Sequence, residues 1–171
     1  MHYESSKIKV SDLIAHVAPH TFWNEYLSVA SGRLEPVGLH LAILAEPFLS
    51  LVLEGRKTIE SRFTRTRCAP FDRIRRGDII MLKQVGGPVR GLALAKEAWF
   101  FDLHHRSIET IRRQYYRPIC ADDEFWEQKR GASYATLIEL AEAVSIGAIP
   151  FSKRDRRGWV SLTSPQMSLA F

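Results

Sequence analysis

Apolar positions recur along this chain with two different periods. Between residues 10 and 32, Leu13, Ile14, Val17, Phe22, Trp23, Tyr26, Leu27 and Val29 fall at spacings that suit one or two amphipathic helices. Pro19 divides them or starts the second, Ser11 is a candidate cap for the first, and Ser31 with Gly32 ends the second. From Gly38 the texture changes to short strands. Residues 40–44, 78–83 and 89–101 are apolar runs, the last two joined by a turn at Gly86, Gly87 and Pro88. Residues 107–117 and 122–129 are predicted helices capped by Ser107 and Asp122, with Pro118 between them. Residues 133–146 and 158–162 supply the closing strands.

One junction concentrates charge. Residues 47–54 form a short apolar helix with Pro47 in its first turn and Gly55 suited to a left-handed end. Alternation follows: in a strand over 58–63, Thr58, Glu60 and Arg62 share one face and Ile59, Ser61 and Phe63 the other, with Lys57 at the mouth. Glu60 and Arg62 can neutralise each other, leaving Lys57 available as a donor, a base if desolvation lowers its proton affinity, or a phosphate ligand.

The run Gly55, Lys57, Glu60, Arg62 resembles the Gly-x-Lys-x-x-Glu-x-Arg signature of the ASCH domain, a branch of the PUA-like β-barrel superfamily. The order of elements around it is similar too, with Arg76-Gly77-Asp78 opening the next strand and residues 153–162 resembling the closing strand of longer ASCH proteins. The resemblance spans about residues 38 to 163. It implies an α+β fold: a small mixed, mostly antiparallel PUA-like barrel flanked by helices (37–171), preceded by an N-terminal helical extension (1–36). It also implies a cleft beside the barrel that meets RNA or a nucleobase. Some small bacterial ASCH proteins similar to this one are amidohydrolases acting on N4-acylated cytidine through a Lys-Thr-Glu set. Their lysine matches Lys57, but Glu60 stands where the threonine would be, and the partner glutamate has no clear equivalent. Others resemble ribonucleases, which implies Lys57 stabilising a developing anion and Tyr134, Ser61 or Ser133 supplying a hydroxyl.

Charge sharpens the expectation. The net charge of +5 is unevenly spread: residues 54–76 carry Arg56, Lys57, Arg62, Arg65, Arg67, Arg73, Arg75 and Arg76 against Glu54, Glu60 and Asp72, and Lys153, Arg154, Arg156 and Arg157 form a second cluster. Such segregation points to a polyanionic ligand, and the dominance of arginine favours planar contacts with phosphate oxygens. The expected binding set is Arg62, Arg65, Arg67, Lys153, Arg154, Arg156 and Arg157, backed by Phe48, Phe63 or Trp159, with Lys57, Glu60 and Tyr134 as the catalytic candidates should the site turn over its ligand.

Composition excludes more than it selects. At 171 residues and 46% apolar content the chain can bury a real core. No apolar run approaches the roughly 20 residues of a membrane span, and Glu4, Lys7, Lys9 and Asp12 interrupt any signal-peptide core, so the expected location is the cytoplasm. Cys68 and Cys120 lack metal-ligand spacing, and His104-His105 suits a turn; neither a metal nor a cofactor is expected. Three functions therefore stand: recognition of RNA or a modified nucleotide, hydrolysis of a nucleic-acid substrate, and protein interaction, the last including a homodimer through the N-terminal helices.

Overall fold

The computed structural model describes residues 8–34, 36–152 and 156–163. Six strands form one curled half-barrel sheet: β1 (Leu39–Leu44), β2 (Ile59–Thr64), β3 (Ile79–Gln84), β4 (Val89–Asp102), β5 (Tyr134–Ile149) and β6 (Trp159–Thr163), in the order β2-β5-β4-β3-β1-β6. Only β1 and β3 pair in parallel; the other four pairs are antiparallel. The mixed, mostly antiparallel α+β architecture expected from the sequence is therefore present. The long strands β4 and β5 bend where their pairing shifts register, and Glu142 takes a positive φ of 52° within β5.

Several strands are apolar throughout because both sheet faces are covered. Leu39 and Leu41 of β1, with Ile79 and Met81 of β3, face the cluster that the N-terminal extension completes. Ala42 and Leu44, with Ile80 and Leu82, point the other way, against Leu49 and Val52 of α2 (Phe48–Leu53) and against Trp159. A third cluster packs Ile111, Ile119 and Trp126, from α3 (Ile108–Ile119) and α4 (Asp123–Lys129), on Ala135 and Leu137 of β5.

The extension is a 3₁₀ helix, Val10–His16, followed by α1 (Thr21–Ser31). Lys9 rather than Ser11 occupies the first N-cap, and Asp12 accepts from its backbone N–H at 2.8 Å. Trp23 is buried, and its Nε1–H donates to the Glu142 carbonyl at 2.7 Å, so α1 is pinned to the bend in β5. Phe22 beside it is 39% exposed and stacks on Tyr26.

Helix α3 starts at its Ser107 cap but continues through Pro118 instead of stopping before it. A proline in the last turn costs a single backbone bond. The nearby carbonyls find tertiary partners: Pro118 accepts from the Thr58 N–H at 3.0 Å and Ile119 from Lys57 at 2.9 Å. Cys120 then ends the helix in the left-handed region. Asp122 caps α4, accepting from Phe125 N–H at 2.8 Å. His104 and His105 lie in the turn after β4. No helix among the described residues is long and apolar enough to cross a membrane.

Candidate functional site

The site begins where α2 ends. Gly55 adopts a φ of +73°, and its N–H bonds the Val52 carbonyl while the Arg56 N–H bonds that of Leu51. That is a Schellman ending, which only a residue without a Cβ adopts cheaply. The Lys57 N–H also reaches Leu51, so the chain turns sharply and sends the Lys57 side chain inward. β2 then runs antiparallel to β5, with Ile59 opposite Glu139 and Thr64 opposite Tyr134.

Lys57 is buried, and its ammonium is engaged. Nζ donates to the carbonyls of Ile59 at 2.7 Å and Ile119 at 2.9 Å, and lies 3.5 Å from Glu60 Oε2. The Ile119 carbonyl belongs to the C-terminal end of α3, where the helix dipole favours a cation. Burial pushes the amine's proton affinity below its ordinary value, and the Glu60 carboxylate opposes that shift. The sequence suggested that an internal Glu60–Arg62 pair would leave this lysine uncommitted. Instead Glu60 lies between both cations, with Oε1 2.8 Å from Arg62 Nε.

Arg62 closes the sheet. Its Nη1 donates to the Gly158 carbonyl at 2.9 Å and its Nη2 to the Ile43 carbonyl at 3.0 Å. The guanidinium thus links edge strand β2 to β1 and to the entry of β6, across the open side of the half-barrel. Arg62, one of the expected binding residues, acts here as a clasp, built from a planar donor fork that a lysine cannot reproduce.

Beside the clasp lies a cleft of about 760 Å³. Phe48, Phe63, Phe125 and Trp159 supply its aromatic surface, Lys57, Glu60, Ser61 and Arg62 one wall, and Arg73, Lys129 and Arg157 further cations. Phe48 and Phe125 meet edge-on at 5.8 Å, and Lys129 Nζ lies 5.1 Å from the Phe125 ring centre. Trp159 is both a core residue and a lining residue.

The expected residues separate accordingly. Lys57, Glu60, Arg62, Phe48, Arg157 and Trp159 come together in this cleft. Arg65, Arg67 and Arg156 are exposed and lie outside its lining, with Arg67 above the rings of Tyr134 and Phe71 at 5.2 and 5.7 Å. Tyr134, at the far end of the β2–β5 ladder from Ile59, packs on Phe71 and is also outside the lining. Lys153 and Arg154 fall outside the described residues. Sequence reasoning missed Phe125, Gln128 and Lys129, one face of α4 at i, i+3 and i+4, and also Ser161. The helical spacing was visible, but not which way that face pointed.

Among solved structures, the ASCH protein from Zymomonas mobilis matches with a TM-score of 0.59 at 18% identity, over 77% of this chain and 94% of that one. A tyrosine-to-phenylalanine variant of the same protein matches with a TM-score of 0.59 at 16% identity, over 76% and 94%. The chain has an ASCH-like fold. A serine-to-alanine variant gives a TM-score of 0.59 at 17% identity, over 76% and 92%. No protein-family model and no curated protein matches the sequence. Within the ASCH-like frame, the Gly55-to-Arg62 segment acts locally as helix stop, buried ammonium, bridging carboxylate and clasp.

Proposed function

We propose that the cleft binds a nucleotide, either within an RNA strand or as a modified monomer. The observation that carries this is the joining, in one cleft, of aromatic surfaces from Phe48 and Phe125 with Arg73, Lys129 and Arg157 and the buried Glu60 carboxylate. The volume lies within the roughly 300–1,000 Å³ typical of small-ligand sites. A base stacks on the aromatic side at about 1–3 kcal/mol per base, the cations meet phosphate, and Glu60 accepts from an exocyclic amine. The ASCH-like fold supports a nucleic-acid-related role in general terms.

The buried amine of Lys57 favours a second reading, hydrolysis. With its proton affinity lowered, Lys57 exchanges a proton with bound substrate more readily than an ordinary lysine does. One experiment addresses both. The protein is titrated with the four ribonucleoside monophosphates, N4-acetylcytidine and a mixed single-stranded RNA, following tryptophan fluorescence with Trp159→Phe as control. The recovered ligands are then weighed by mass spectrometry. Saturable binding with unchanged ligand supports recognition, altered ligand supports hydrolysis, and no binding to any of these rejects both.

A further inference from the structure

Outside the Lys57 cluster, the strands bring together three residues that the signature does not include. Ser161 on β6 faces His40 on β1 as its partner in the antiparallel ladder, so their side chains share a face of the sheet. Ser161 Oγ lies 3.0 Å from His40 Nδ1, and His40 Nε2 lies 2.9 Å from Asp78 Oδ2. The Asp78 carboxylate is itself fixed, accepting from the backbone N–H groups of Gly38 at 3.0 Å and Arg75 at 2.8 Å.

The neighbours set the tautomer. Trp159 Nε1–H can only donate, and it points at His40 Nδ1 from 3.3 Å. Nδ1 therefore carries the lone pair, and Nε2 carries the proton that it donates to Asp78. The Ser161 hydroxyl, the nearer of the two at 3.0 Å, shares that one lone pair with the Trp159 N–H. His40 is fully buried and Asp78 nearly so, whereas Ser161 is partly exposed and lines the cleft. A hydroxyl at the cleft wall, backed by a neutral imidazole and an anchored carboxylate, has the parts of an activated nucleophile. The ring nitrogens are used in the opposite sense to serine proteases, with Nδ1 towards the serine. Either nitrogen can take the proton.

We propose that Ser161, His40 and Asp78 form an acyl-transfer relay, with Ser161 the nucleophile towards a carboxylic ester held in the cleft. Ser161 Oγ attacks the ester carbonyl carbon as its proton passes to His40 Nδ1, which gives up its long hydrogen bond from Trp159, and Asp78 stabilises the imidazolium. Collapse breaks the bond between the carbonyl carbon and the alcohol oxygen, and the alkoxide leaves with the proton from Nδ1. Water, deprotonated by the same nitrogen, then attacks the acyl-serine, releasing the carboxylic acid and restoring the Ser161 hydroxyl. The inference goes beyond nucleotide binding and stands without it, because the relay uses neither Lys57 nor the aromatic surfaces of Phe48 and Phe125.

The test is covalent labelling of the intact protein with a fluorophosphonate, which loses fluoride to an activated serine, alongside hydrolysis of p-nitrophenyl acetate. The expected result is a single adduct, mapped by mass spectrometry to Ser161, present in the native state and absent after unfolding in urea. Ser161→Ala should lose the adduct and the esterase activity. His40→Gln, provided circular dichroism shows it folded, should slow both by about 100-fold or more, the scale of general-base catalysis. No adduct, an adduct elsewhere, or equal labelling of native and unfolded protein would overturn the relay. Failure of nucleotides to bind would leave the labelling result intact, so the two readings fail separately.

Discussion

Arg62 and Trp159 meet across the open side of the half-barrel, the guanidinium carbon 5.5 Å from the indole ring centre. The same guanidinium bonds the carbonyls of Gly158 and Ile43 and pairs with Glu60. One side chain therefore ties β2 to β1 and β6 while shaping the cleft wall. A cation over an indole adds about 0.5–2 kcal/mol to such a contact, depending on desolvation.

Removing the clasp should loosen the sheet. Arg62→Ala leaves two carbonyls and the buried Glu60 carboxylate short of a partner, and we expect a loss of about 3 kcal/mol in urea unfolding. Arg62→Lys should recover little of it, since one ammonium cannot span both carbonyls and the carboxylate. Gly158→Ala should act in the same direction, because a Cβ there would stand 2.7 Å from Arg62 Nη1. Wild-type stability in Arg62→Lys would show that the fork is not what closes the sheet.

Lys57 carries a pH signature. Its amine titrates below the ordinary value of 10.5 because burial penalises the charge. Between the lowered value and 10.5 the unfolded chain binds more protons at this site than the native one, so the lysine's contribution to stability improves as pH rises through that window and is least favourable below it. The neutral amine retains two N–H donors for the Ile59 and Ile119 carbonyls. Comparing wild type with Lys57→Met in urea, we expect the stability difference to move towards wild type as pH rises towards 10.5. A flat or falling difference would mean that the ammonium is not desolvated.

The aromatic surfaces should matter for ligand and less for fold. Phe48 and Phe125 are both only partly buried. Phe125→Ala should weaken nucleotide binding by about 1–3 kcal/mol, the scale of one base stack, while lowering stability by less than a core truncation does. Fluorescence titration and thermal melting of the same sample separate the two effects, and unaltered affinity would remove Phe125 from the binding surface.

Lys129→Ala should reduce the salt dependence of RNA binding. Each phosphate contact removed flattens the slope of log affinity against log salt by about 0.7 for a single strand. Arg65→Ala, outside the cleft lining, should change the slope less. The reverse order would place the strand along the Arg65 and Arg67 loop instead.

Trp23 fastens the N-terminal extension. Trp23→Ala removes a buried indole and its bond to the Glu142 carbonyl, with an expected loss of about 3–5 kcal/mol. Trp23→Phe, which keeps most of the volume but not the donor, should cost about 1–2 kcal/mol. Equal effects of the two substitutions would show that the hydrogen bond, not the packing, holds the helix.

Local rules read much of this protein from its sequence. The turn at Gly55, the caps at Ser107 and Asp122, the Gly86-Gly87-Pro88 connection and the strand positions follow from backbone preferences and periodicity within a few residues. So did the nearness of Glu60 and Arg62, because alternate residues of a strand share a face. Tertiary structure decided what those charges do. The partners of Lys57 and Arg62 are backbone carbonyls as much as 62 and 96 residues away, and a carbonyl carries no signature in the sequence. The continuation of α3 through Pro118 likewise required acceptor groups to meet donors from another element. His40 and Ser161 lie 121 residues apart and were brought together only by the pairing of β1 with β6. Periodicity is a property of neighbours along the chain, whereas a site is a property of neighbours in space.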